Sequence, residues 1–188
     1  GGKIPEGTYL IESHYYYDKN KEEMIDKLEM FESIDIDTQD FVKVKGNHLK
    51  TYGYFLDNDE GFVSSLDYMS AYNFNYDTWS RSLKHAWTLS EYEDMVGKIL
   101  RKYYKEATFK NESEIEYDTK DYVKRYKSDL KMTYRYKLRG ERLTITTYDE
   151  DGVVFTIRTF KRLSKAKEKN LIYDYDKEVK KDREQVLP

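Results

Sequence analysis

Apolar and polar residues alternate with a period of two through several short stretches of this chain. Val42 and Val44 alternate with Lys43 and Lys45, and after Gly46-Asn47 the return run carries Tyr52, Tyr54 and Leu56 on one face. That period marks a half-buried strand, and Gly-Asn tolerates the positive φ of a tight turn, so Phe41 to Leu56 reads as a β-hairpin. The same logic predicts a strand over Lys131–Arg139, where Tyr134, Tyr136 and Leu138 oppose Arg135, Lys137 and Arg139. Gly140-Glu141 begins a turn, Leu143, Ile145 and Thr147 share one face of a strand over Arg142–Tyr148, and a last strand runs over Val153–Phe160 after the turn Asp149–Gly152. Phe41–Leu49 and Tyr134–Leu143 echo one another as two similar hairpins. An opening strand covers Thr8–Tyr17, with Tyr9, Ile11 and Tyr15 on one face and Leu10 and Tyr16 on the other; Asp18–Asn20 turns after it. Asp57–Gly61 reads as a further turn before Phe62-Val63, and Glu114–Tyr117 as a short strand.

Two stretches change period. Met24, Ile25, Leu28 and Phe31 recur at helical spacing, predicting a helix over 22–34. Over 90–107 the stripe Tyr92, Met95, Val96, Ile99, Tyr103 predicts a longer one. Ser90 with Glu93 has the spacing of a capping box, in which each side chain satisfies a free backbone N–H. Leu66–Trp87 has no clean period and reads as mixed strand and loop, with Trp79 and Trp87 packed inward. These elements place a single β-rich domain at 1–163 and a charged C-terminal tail at 164–188. The fold class they predict is mainly β, an antiparallel barrel or strongly curved sheet with two packed helices. The alternative is an α+β open sheet whose helices cover one concave face.

Composition supports strands and an aromatic core: the chain holds 20 Tyr, 8 Phe and 2 Trp, and aromatic rings suit a half-buried pleated surface. A net charge of -3 from 33 basic and 36 acidic residues gives no general attraction to phosphate, which argues against nucleic acid as a partner. With no cysteine there are neither disulfides nor thiolate metal sites. No stretch has the length and apolarity of a transmembrane helix. Gly1-Gly2 in place of an initiator Met reads either as a cloning remnant or as a processed end, the second implying a leader cut away.

Gly7-Thr8-Tyr9 at the start of the first strand, and the closing strand Val153–Leu163, resemble the lipocalin-like (calycin) small barrels. The likeness is to those found as bacterial surface or periplasmic lipoproteins. The family opens on Gly-x-Trp, and Gly7-Thr8-Tyr9 matches apart from Tyr in the Trp position. It closes on a basic residue packed across that first aromatic ring, a part the resemblance gives to Arg158 or Arg162. Gly140–Gly152 looks like the family's late hairpin, whereas a long helix from Ser90 departs from its simplest members. Gly7, Tyr9, Arg158 and Arg162 are then structural residues. The resemblance implies a small-ligand binding role, a periplasmic or cell-surface location, and a lipid anchor on a removed upstream cysteine.

The chemistry-bearing residues point the same way. His14, His48 and His85 do not fall at metal-ligand spacing, so no metal site is expected. Asp57–Gly61 is no calcium loop, because Gly61 stands fifth and Tyr68 twelfth, where the pattern needs Gly sixth and an acid twelfth. Asp35 and Asp37 read as a solvated loop, and Asn111-Glu112-Ser113 matches a glycosylation acceptor. No nucleophile elbow, phosphate loop or dinucleotide fingerprint occurs, so no catalytic residue and no cofactor is assigned. The expected ligand-binding residues are Tyr52, Tyr54, Tyr134 and Tyr136, with Trp79 and Trp87, whose rings offer apolar walls and whose polar tips fix orientation. The expected function is non-catalytic binding of a small amphipathic or apolar ligand in a barrel-like pocket. Two alternatives stay open: a cell-surface module binding protein or carbohydrate through an exposed aromatic patch, and a carboxylate-based hydrolase.

Overall fold

The structure is a computed structural model that describes residues 2–57, 62–63, 72–107, 111–169 and 171; side chains at 36–37, 54–57, 62–63 and 102–107 are outside the description. The alternating stretches become β1 (Gly7–Asp18), β3 (Ile36–Lys45) and β4 (His48–Asp57), and the stretch without a clean period supplies β6 (Asn73–Asp77) and β7 (Ser82–His85). They continue as β8 (Thr133–Arg139), β9 (Arg142–Tyr148) and β10 (Val154–Arg162). Each of these strands pairs antiparallel with the next, and β10 returns to pair with β1 from Tyr9↔Arg162 to Tyr16↔Thr156. The result is a closed 8-strand antiparallel barrel, with β2 (Glu23–Asp26) added to β1 and β5 (Phe62–Val63) added to β4. This is the antiparallel barrel of the sequence reading; the open α+β sheet does not form.

Period two puts alternate residues inside, and register aligns them in levels. One end is solid. Tyr9, Val44, Leu49, Tyr76, Leu83, Tyr136 and Leu143 fill it, all buried, and Ile4 joins them from the segment that precedes β1. Tyr9 and Tyr136 suit this core because their hydroxyls find acceptors. Tyr9 donates to the Pro5 carbonyl at 2.5 Å, and Tyr136 donates to the carbonyl of Gly2. Arg162 Nη2 donates to the Glu6 carbonyl at 2.6 Å, so the first residues are strapped across this end as a plug. A register shift between Ile11 and Ser13 lets both Ile11 and His14 face inward along β1.

Two long helices, α2 (Leu89–Ala107) and α3 (Glu112–Asp129), lie between β7 and β8 in sequence. Tyr92, Val96 and Leu100 of α2 pack on Ile115 and Tyr126 of α3, with the Tyr92 and Tyr126 rings stacked at 4.0 Å. Tyr72 and Trp87 join this cluster to the barrel, and the Tyr126 hydroxyl donates to the Trp87 carbonyl at 2.6 Å.

Several elements differ from the sequence reading. The helix expected over 22–34 is split: Met24 and Ile25 pair with Tyr17 and Tyr16 as β2, and only α1 (Lys27–Ser33) is helical. Backbone pairing to β1 overrides four apolar residues at helical spacing, and Asp26 caps the short helix by accepting from Glu29 N at 3.1 Å. Glu114–Tyr117 is not a strand but part of α3. Its N-cap is Asn111, whose side chain accepts from Glu114 N at 2.9 Å. The helix over 90–107 begins one residue earlier, and the reciprocal cap belongs to Thr88 and Glu91, not Ser90 and Glu93. Trp79 does not pack inward. It stands 96% exposed in the β6–β7 turn, where Asp77 Oδ1 accepts from the amides of Trp79 and Ser80. Within the charged C-terminal stretch, 165–169 are helical, Thr8 Oγ1 donates to Glu168 at 2.8 Å, and Leu171 is buried. Residues 172–188, the Asn58–Gly61 part of the expected turn, and 64–71 lie outside the described residues.

The caps give a direct test. Thr88→Ala is expected to lower stability by about 1 kcal/mol in urea unfolding, while Ser90→Ala stays within about 0.5 kcal/mol of the parent.

Candidate functional site

Away from the plug, the inward positions turn polar. Along β9 the inner face runs Leu143, Ile145, Thr147, and along β10 it runs Phe160, Arg158, Thr156. On the neighbouring strands the same levels carry His14, Asp40, Thr51 and Tyr134. Tyr72 enters before β6, and Asp129 arrives from the end of α3. These residues border a cavity of about 250 Å³, with Met132, Phe155 and Phe160 as apolar patches in its wall.

Arg158 is the unusual member. Register holds it between His14 of β1 and Ile145 of β9. Its Nε is buried without a hydrogen-bond partner, and among the described residues no carboxylate approaches within ion-pair distance. Its guanidinium carbon lies 5.8 Å from the centre of the Phe160 ring. Burial pulls its pKa down, while Asp40, and more weakly Tyr134 and Asp129, favour the charge. A guanidinium does not lose its proton in a protein, so Arg158 meets the chamber as a cation, with the carboxylates of Asp40 and Asp129 bordering the same cavity.

The groups around it are held in place. Tyr72 donates to the Asp129 carboxylate, and the Tyr134 hydroxyl donates to the Asp129 carbonyl at 2.9 Å. Burial raises the pKa of Asp129 against the opposing hydrogen bond from Tyr72. His14 Nδ1 sits 3.9 Å from Asp40, too far for a hydrogen bond, and burial lowers its pKa despite that neighbour. His85 packs among the rings of Tyr72, Phe74, Tyr126 and Tyr134 at 4.4 to 5.2 Å. Neither of its ring nitrogens has a partner, and burial pushes its pKa down to about 4.

Of the residues expected to bind ligand, Tyr134 and Tyr52 border the chamber. Tyr52 shares its face of β4 with Lys50 and stacks on Phe41 at 4.8 Å, and the ammonium groups of Lys43 and Lys50 each lie 5.2 Å from its ring. Tyr136 belongs to the solid end, Trp87 to the seam with α2, and Trp79 to an exposed turn. Tyr54 pairs with Gln39 through its backbone, and its side chain lies outside the description. Arg162, not Arg158, stands opposite Tyr9. Its Nε would lie 3.1 Å from a Cβ on Gly7, a residue at φ +147. Sequence reasoning missed His14, Asp40, Tyr72, Asp129 and Arg158 as lining. The signal available was Arg158 sharing the alternation of Phe160.

Among the described residues no group of three or more His, Asp or Glu is placed to hold a metal ion, and no described helix is long and apolar enough to cross a membrane. A wider groove of about 820 Å³ runs outside the plugged end and is lined by charged and amide side chains including Lys3, Glu6, Asn75 and Lys84.

His85 makes stability depend on pH. The folded value is near 4 and the ordinary value 6.5, so between them the unfolded chain binds more protons. The stabilisation from neutral His85, at most about 3 kcal/mol, is complete above pH 6.5 and is lost as pH falls toward 4. His14 acts in the same direction; Asp129, with its raised pKa, acts in the opposite one. His85→Leu is expected to flatten the fall in melting temperature between pH 6.5 and 4 relative to the parent; an unchanged slope would contradict this assignment.

No family model and no curated protein matches the sequence. Among solved structures, the siderocalin Ex-FABP, described as functioning through dual ligand specificities, aligns with 91% of this chain and 82% of its own chain at 8% identity, with a TM-score of 0.37.

Proposed function

We propose that this protein is a non-catalytic binding protein that takes a small amphipathic ligand into the chamber at the far end of the barrel. The observation that carries this reading is the change along the inner face. The barrel is packed solid beside the plug, then leaves about 250 Å³ where the lining becomes polar. Interiors rarely leave such space unfilled. The volume lies just below the range usual for drug-sized ligands, so the ligand is small. Phe155, Phe160 and Met132 offer it apolar contact, and Arg158, Asp40 and the threonine hydroxyls offer polar contact. Tyr134 and Tyr52 remain the tyrosines proposed to touch it.

One observation favours a second reading, an interaction module that uses surface aromatics: Trp79 is almost fully exposed. A single exposed ring is not a contiguous patch, so this reading ranks below the first.

Native mass spectrometry of the gently purified chain, compared with its denatured mass, tests both. The chamber reading expects extra mass that is lost on denaturation. It also expects Thr147→Phe, which fills the chamber from β9, to reduce retention at least roughly tenfold, with Trp79→Ala neutral. Retention that survives Thr147→Phe but disappears with Trp79→Ala would replace the chamber by the surface.

A further inference from the structure

We infer that the plugged end of the barrel is a docking surface for an anionic lipid bilayer, with Trp79 entering the headgroup layer and the chamber facing away from it. This surface is independent of what the chamber binds.

The first observation is Trp79. It is almost fully exposed in the β6–β7 turn, and the turn does not need its ring. Asp77 Oδ1 accepts from the amides of Trp79 and Ser80, and the Ser80 and Ser82 hydroxyls lie 2.7 Å apart. The Arg81 carbonyl accepts from Tyr136 N at 2.9 Å. All of these bonds use backbone groups or other side chains, so alanine at position 79 would keep them. The indole is therefore held out on a support that is already ordered, and insertion does not have to order it. A ring with an apolar body and one N–H donor suits the boundary between headgroups and acyl chains, where tryptophan concentrates. One ring is too little for a protein interface, but at a bilayer electrostatic attraction adds to it.

The second observation is that attraction. The plug and three hairpin turns meet at this end. Gly46 N donates to Glu6 Oε1 at 2.9 Å, Tyr136 of β8 donates to the Gly2 carbonyl, and Arg162 N donates to the Glu141 carbonyl at 2.9 Å. Lys3 lies on the plug and Lys45, Arg81 and Arg139 at the turns, with Arg135 and Lys137 on the outer face of β8 just behind. All six are exposed, and none lies within ion-pair distance of a described carboxylate. The plug and these turns carry the carboxylates Glu6, Asp77 and Glu141, and the first two already accept from backbone amides. The opposite end holds the acidic turn Asp149-Glu150-Asp151, with Glu23, Asp26, Glu29 and Glu32 on β2 and α1. The net charge of -3 thus conceals a polar axis whose positive pole is the plugged end.

A nucleic acid would meet the same cations. Single strands, however, are held by successive stacking rings, and a duplex is read by a helix or ribbon laid in its groove. This end offers one ring among turn tips, which fits a plane.

The test uses the full chain and unilamellar vesicles of phosphatidylcholine, alone or with about one-third phosphatidylglycerol. Cosedimentation reads binding, and tryptophan emission reads insertion. Binding to the anionic vesicles is expected to be at least roughly tenfold tighter than to phosphatidylcholine and to weaken as salt rises. Emission is expected to shift to the blue on binding, and the shift to vanish in Trp79→Ala, where Trp87 remains. Trp79→Ala is expected to weaken binding at least roughly threefold, and Trp79→Phe to restore part of it. Arg81→Glu with Lys137→Glu is expected to weaken binding at least roughly tenfold, and Lys3→Glu with Lys45→Glu to repeat the loss from the plug and the β3–β4 turn. The same charge change on α3, Lys120→Glu with Lys124→Glu, is expected to stay within about threefold of the parent. Melting temperatures should stay near the parent's, because all the substituted side chains are exposed. Equal binding to both vesicles, unshifted emission in the bound state, or an equal loss from the α3 pair would each overturn the plugged end as the docking face. Binding to a DNA duplex or to heparin as tight as to the anionic vesicles, and indifferent to Trp79→Ala, would replace the bilayer by a soluble polyanion. None of these outcomes bears on the chamber.

Discussion

The pairing of β10 with β1 is the constraint on which the rest depends. Without it the sheet would end in two rows of unsatisfied backbone groups, each a template for another chain. With it, every strand of the ring has two neighbours and the molecule acquires an inside. Eight strands enclose a lumen just wide enough to be filled by side chains. Whether a given level is core or cavity then depends only on which residues alternate inward there. Beside the plug those are leucine, valine and tyrosine, and the space closes. Two or three residues further along they are threonine, histidine, aspartate and arginine, and the space remains.

The core is aromatic because tyrosine solves two problems together. Its ring fills volume, and its hydroxyl satisfies a carbonyl that would otherwise be stranded. Tyr9, Tyr126, Tyr134 and Tyr136 each end on a main-chain carbonyl, of Pro5, Trp87, Asp129 and Gly2. The hydroxyls thereby tie together elements far apart in sequence: the plug to β8, and α3 to the segment after β7. His85 behaves differently, an imidazole among rings with no partner for either nitrogen.

What the sequence revealed followed a simple rule. Elements whose burial is one-sided and whose neighbours are adjacent in sequence were readable: the β3–β4 and β8–β9 hairpins, the closing strand and α2 all lie within a few residues of their expected bounds. Elements whose form depends on a distant partner were not. Met24 and Ile25 look helical until β1 supplies a strand beside them. The third helix buries only Ile115, Thr119 and Tyr126, too few apolar residues to set a period. The cap moved from Ser90 to Thr88 because both pairs have the same spacing and only the chain's exit from β7 selects one. The chamber was half legible. Tyrosines at alternate positions marked inner faces, but pattern alone does not say at which level a lumen stops being packed. The lining residues that pattern missed, His14, Asp40, Tyr72, Asp129 and Arg158, come from five different stretches of chain that meet only when the ring closes.

The seam between β7 and β8 has a consequence of its own. The other neighbouring strands of the ring pair at three or more positions, ten between β3 and β4, whereas β7 and β8 share only Ser82↔Arg135 and Leu83↔Tyr134. The chain between them leaves the ring entirely to build α2 and α3, so those helices lean on the barrel at its least-bonded join. Amide protons along β7 should therefore trade with solvent sooner than those of β3, β9 or β10. Of the joins in the ring, this is the one where the wall separates with the fewest paired positions broken.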